Sequence, residues 1–68
     1  MGWIKGTREI AKRAGVSNTA VLNYIKKFEK ELIEQNILKK KYHGAKFTYV
    51  VNYERFREFL KRRNIYIK

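Results

Sequence analysis

Val21, Ile25, Phe28 and Leu32 recur at the spacing of one helical face, within a stretch from about Asn18 to Gln35 that contains neither glycine nor proline. A helix of this kind is marginal alone in water and needs a body to lie on, so one side is committed to a core and the other is left to solvent. Directly opposite the apolar stripe fall Thr19, Asn23, Lys26 and Lys30. Asparagine, threonine and valine are weak helix formers, so the first turns are filled for their chemistry rather than for propensity.

What precedes this helix reads as a second, shorter one. Thr7 is expected to cap a helix over Arg8 to Ala14, with Glu9 near the positive end of the dipole and Ile10, Ala11 and Ala14 inward. Gly15 can take the left-handed conformation that stops a helix abruptly, Val16 is a small apolar plug, and Ser17 can cap the helix that follows. Two helices therefore meet across three residues.

Beyond Asn36 the hydrophobic period changes to two. Ile37 to Tyr42 and Phe47 to Val51 are β-prone runs separated by His43-Gly44-Ala45-Lys46, which predicts a hairpin. Phe47, Tyr49 and Val51 share one face, while Lys39, Lys40, Lys41 and Lys46 gather towards the turn. Asn52 can cap a last helix from Tyr53 to about Arg63, with Tyr53, Phe56, Phe59 and Leu60 on one side. Trp3-Ile4-Lys5 and Ile65-Tyr66-Ile67 are short and β-prone, and each is expected to add a strand or to pack on the core.

The chain has 68 residues, enough for one small domain over residues 1–68, and a chain of this size buries only about 60% of its unfolded surface. The six aromatic and aliphatic residues Phe28, Leu32, Phe47, Tyr49, Phe56 and Phe59 are therefore expected in the core rather than on a stacking platform. The absence of cysteine excludes disulfides and thiolate metal sites. His43 stands alone as an imidazole, so no metal and no cofactor is expected. No apolar run reaches the ~18 to 20 residues that span a bilayer, and the start lacks the apolar core of a signal peptide, so the expected location is cytoplasmic, at the nucleoid or in a host cell interior. All six acids are glutamates, none forms a spaced carboxylate pair on a plausible pocket wall, and there is no glycine-rich phosphate loop. Catalysis is not expected.

The charge is +11, from 17 Lys and Arg against 6 acidic residues, and its distribution is uneven. Residues 1–28 carry +5, 29–35 carry −2, 36–53 carry +4 and 54–68 carry +4. Acids interspersed with the bases would suit mere solubility; here three glutamates collect at the far end of the long helix. A long polyanion can meet the basic parts while avoiding the acidic one.

The run Thr7 to Ile25, with Ala11 where the helices touch, Gly15 in the turn, Val16 and Val21 as plugs and Ile25 one turn on, resembles the helix-turn-helix of bacterial-type repressors, including the lactose-repressor family. It departs from that pattern at Ala20, where the family often has threonine, and at Leu22, where it often has a polar residue. With the hairpin and last helix added, residues 3 to 63 look like an α+β winged helix-turn-helix domain: helix-turn-helix about 7–35, two-stranded wing about 37–51 and C-terminal helix about 53–63. The helix that usually precedes the first strand is absent, and the C-terminal helix is expected to take over its packing or to form a dimer interface. Small lysine-rich proteins of this kind resemble regulators of mobile elements and of archaeal viruses.

The resemblance implies a sequence-preferring double-stranded DNA-binding protein that regulates transcription as a homodimer through the C-terminal helix and tail. One helix enters the major groove, where Asn18, Thr19 and Asn23 can hydrogen-bond base edges. Thr7, Arg8, Lys12, Ser17, Lys26, Lys27 and Lys30 are expected on the backbone. Lys39, Lys40, Lys41, His43, Gly44 and Lys46 form a wing for the backbone or the minor groove, and Glu31 and Glu34 are expected to point away from DNA. An accessory or architectural protein of recombination or replication, an RNA-binding or ribosome-associated protein, and a protein-interaction module are the alternatives.

Overall fold

The computed structural model describes residues 2–68. In chain order the elements are β1 (Trp3–Lys5), α1 (Thr7–Ala14), α2 (Asn18–Glu34), β2 (Leu38–His43), β3 (Lys46–Asn52) and α3 (Tyr53–Lys61). The strands form one antiparallel sheet in the order β1-β3-β2. This is a small α+β domain of three helices and a three-stranded sheet, an architecture compatible with a winged helix.

The α1–α2 corner follows from its three residues. Gly15 ends α1 at φ 72°, ψ 27°, the left-handed region that side chains with a Cβ avoid, and its N–H returns to the Ala11 carbonyl. The Ser17 hydroxyl accepts the Ala20 N–H at 3.1 Å and starts α2. Thr7, by contrast, is not the cap of α1. Gly6 holds that position without a side-chain bond, and Thr7 is already helical. Gly6 instead ties the helix start to the sheet, its N–H donating to the Tyr49 carbonyl at 2.8 Å.

The long helix is not continuous. Phe28 departs from helical geometry at φ −115°, ψ 17°, which divides α2 into an N-terminal reach and a shorter C-terminal one. The break coincides with an edge-on contact between the Phe28 and Phe59 rings, 5.5 Å between centroids, and with the Arg63 guanidinium lying over both rings. Val21, Ile25 and Leu32 of the stripe are fully buried, whereas Phe28 is only half-buried.

The hairpin is tighter than its sequence suggests. His43 pairs with Lys46, so the turn has two central residues, not four, and Gly44 occupies the first of them at φ 65°. Ile4, Leu38 and Val51 sit side by side in register and face the helices. The Asn52 side chain caps α3 by accepting the Arg55 N–H at 3.3 Å. The helix ends at Lys61, two residues short of expectation, and the chain turns through Asn64 at φ 61°.

One cluster gathers the buried side chains of every element except β1, whose Ile4 packs against it. Phe56, Ile10, Ile25, Leu32, Leu38, Leu60, Val21 and Val51 are its fully buried members, each contributing about 1.5–3 kcal/mol of transfer free energy. Of the two ends, Trp3–Lys5 does add a strand, paired to β3. The tail packs instead: Ile67 is buried, the Lys68 N–H donates to the Ala14 carbonyl, the Arg57 Nε–H donates to the Ile67 carbonyl, and the Tyr53 hydroxyl donates to the Lys68 carbonyl. This arrangement bears on the expected dimer interface. The apolar side of α3 and Ile67 are already used within the chain, leaving Tyr66, 70% exposed, as the large apolar group that the tail presents outward. No helix among the described residues is long and apolar enough to cross a membrane.

Candidate nucleic-acid interface

The N-terminal reach of α2 is fixed by the Ser17 cap and by burial of Val21 and Ile25, so its outward direction is set by the core behind it. Thr19 and Asn23 lie one turn apart on that outward side, and Lys26, Lys27 and Lys30 follow; all five are exposed. The Lys27 ammonium stands 5.5 Å from the Phe28 ring at the break. Hydroxyl and amide groups thus lead, and three ammonium groups succeed them, along one helix surface.

Asn18 is exposed too, but it belongs to a different neighbourhood. With Leu22 it lines an open cleft of about 440 Å³ whose other walls include Thr7, Arg8, Phe47 and Tyr49. The cleft gives the apolar Leu22 its place: half-buried, it faces the hairpin. Arg8 and Lys12 are exposed on α1, Thr7 is half-buried, and Ser17 is exposed with its oxygen engaged as the cap.

The lysine run of β2 divides between the two faces of the sheet, because neighbouring strand residues point oppositely. Lys40, opposite Tyr49, lies on the face turned towards the helices, whereas Lys39 and Lys41 lie on the outer one. Lys41, His43, Gly44 and Lys46 are exposed around the turn. Lys40 is not a free cation: its ammonium meets the Glu29 carboxylate at 3.1 Å and stands over the Phe47 ring. That carboxylate also accepts the Tyr49 hydroxyl at 3.2 Å.

These contacts move both titrating groups upward. Lys40 is raised above 10.5, chiefly by its hydrogen bond to Glu29. Tyr49 is raised above 10.0, first by burial and then by the adjoining Glu29 carboxylate. The acidic end of α2 is therefore in good part structural. Glu29 links the helix to the hairpin, and Glu31 forms an ion pair with Arg63, which also donates to the Phe59 carbonyl and so links α2 to the end of α3. Glu34 remains exposed.

Two features lay outside the sequence reading. Phe47, expected in the core, is instead 43% exposed, and it adjoins Tyr42, 67% exposed, across the hairpin, with ring centroids 5.8 Å apart. The signal was available in the distance of both from the buried pair Leu38 and Val51. Trp3, 42% exposed, lies on the outer side of the sheet with the Lys39 ammonium 4.8 Å from its ring centroid. Among the described residues no group of three or more His, Cys, Asp or Glu side chains is gathered as a metal site. Compared with family models, with curated proteins and with solved structures, the chain finds no match.

Proposed function

We propose that the protein is a winged helix-turn-helix DNA-binding domain that recognises double-stranded DNA with sequence preference and regulates transcription. The observation that carries the reading is the outward side of α2, where exposed Thr19 and Asn23 precede exposed Lys26, Lys27 and Lys30 on a helix whose other side buries Val21, Ile25 and Leu32. A major groove about 12 Å wide admits one such helix. Thr19 and Asn23 then meet base edges, asparagine pairing best with adenine, and the lysines meet phosphates as the helix leaves the groove. The hairpin acts as the wing through Lys41, His43 and Lys46, and Asn18 works with Thr7 and Arg8 where the cleft opens beside it. The homodimer stays part of the reading: with the apolar side of α3 and Ile67 committed to the core, exposed Tyr66 is the apolar group that the tail offers to a second chain. Catalysis, cofactor and metal have no part in it.

Selection of bound duplexes from a random pool tests the reading. A recovered motif is expected, and Asn23→Ala should cost about 1–3 kcal/mol on that motif with little change on scrambled duplex. Equal losses on every sequence would replace the regulator with an architectural DNA protein, and failure to retain any duplex would remove DNA as the ligand.

A further inference from the structure

The outer face of the sheet is a surface that the DNA-reading helix does not use. Strand alternation places Trp3 and Lys5 of β1, Val50 of β3, and Lys39 and Lys41 of β2 on it, while Ile4, Val51 and Leu38 turn to the core. Lys5, Lys39 and Lys41 are exposed, Val50 is half-buried, and none of the three strands contains an acidic residue. The face therefore combines an indole, an aliphatic floor and ammonium groups along two edges, with nothing negative in the sheet to neutralise them.

We infer that this face binds single-stranded nucleic acid, with a base stacked against Trp3 and the phosphodiester backbone held by Lys5, Lys39 and Lys41. The charge complements a polyanion, and the exposed indole selects the form of that polyanion. A duplex offers phosphates but keeps the faces of its bases in the stack; a single strand offers both together. Stacking on an aromatic ring beside a basic track is tolerant of sequence, because every base has a π-face. The Lys39 ammonium lies over the indole, 4.8 Å from its centroid, so an incoming base takes that place on the ring and the displaced ammonium is left within reach of the adjoining phosphate. The inference stands apart from the DNA-reading role of α2, from which it differs in surface and in ligand form; Lys41 is the residue it shares with the hairpin wing.

The chain has one tryptophan, so its fluorescence reports on this face alone. A thymidine oligonucleotide and a uridine oligonucleotide of equal length are titrated separately, and a duplex is titrated alongside. Quenching by the single strands and not by the duplex is expected, and the stronger of the two distinguishes DNA from RNA as the source. With end-labelled oligonucleotides, Trp3→Ala should weaken single-strand binding roughly ten- to a hundredfold and Trp3→Phe should restore most of it. Lys5→Ala should flatten the salt dependence by about 0.7 in the log–log slope. Duplex affinity should be the same for Trp3→Ala, Trp3→Phe and wild type. Absence of quenching by both single strands, equal quenching by duplex, or wild-type single-strand affinity in Trp3→Ala would each overturn the inference. Loss of duplex binding with single-strand quenching intact would remove the role proposed for α2 and leave this one standing.

Discussion

Gly15, Ser17 and Tyr49 show how single residues set the geometry on which the interface rests. Gly15→Ala would hold a Cβ in the left-handed region and bring it to 2.9 Å from the flexible Lys68 side chain. Because the side chain can move and the backbone cannot, the expected loss is the backbone term, about 1–2 kcal/mol, read from urea unfolding. Tyr49 gives a prediction in pH. Its hydroxyl is raised above 10.0, foremost by burial, so the folded chain keeps a proton that the unfolded chain has begun to lose. That contribution is complete below pH 10 and disappears as pH climbs through the raised value. Tyr53 is raised by burial and acts with the same sign. Tyr49→Phe should therefore make the unfolding free energy fall less steeply above pH ~10 than in wild type, measured by urea unfolding at a series of alkaline pH values. The Gly15 and Ser17 roles were legible because each depends on a local rule, a left-handed stop and a hydroxyl cap. Thr7 obeyed the same rule on paper and lost the position to Gly6, whose N–H is held by Tyr49, far along the chain.

At the scale of elements, the helices were more readable than the sheet. Val21, Ile25 and Leu32, and likewise Tyr53, Phe56, Phe59 and Leu60, declare buried faces through spacing alone. The break at Phe28 left no such mark, since phenylalanine suits the apolar stripe and the departure accompanies contacts with Phe59 and Arg63 from the other end of the chain. The division of the lysine run was recoverable only with a register: once Lys40 is opposite Tyr49, Lys39 and Lys41 must point away. The packing of the tail was equally non-local. Ile67 is buried against the body while the Lys68 N–H bonds to α1 and the Arg57 side chain of α3 donates to the Ile67 carbonyl, so Ile67→Ala should destabilise the fold by about 2 kcal/mol. Tyr66→Ala, which alters an exposed side chain, should lie within about 0.5 kcal/mol of wild type. Parallel thermal melts of the two variants compare them directly.

The whole molecule measures 36 × 24 × 24 Å and carries +11, so its positive charges lie close enough to repel one another across much of the surface. Dissolved salt screens that repulsion beyond ~8 Å at physiological ionic strength, and under the proposed function it competes with the nucleic acid for the same lysines. Added salt should thus stabilise the free protein while loosening its complex. Duplex affinity is expected to fall on the order of 10³- to 10⁵-fold between ~50 and ~200 mM salt if roughly 6 to 10 phosphates are engaged. Anisotropy titrations with labelled duplex across that range give the slope, and a flat response would point to a protein partner. Glu29 has a consequence at this scale. By gripping Lys40 and Tyr49 together, one carboxylate sets the gauge between the helix and the outer rungs of the hairpin. Glu29→Gln keeps the size of that spacer and removes its charge, and under the proposed function it would make the reach between two grooves of a duplex adjustable at a position that need never touch the nucleic acid.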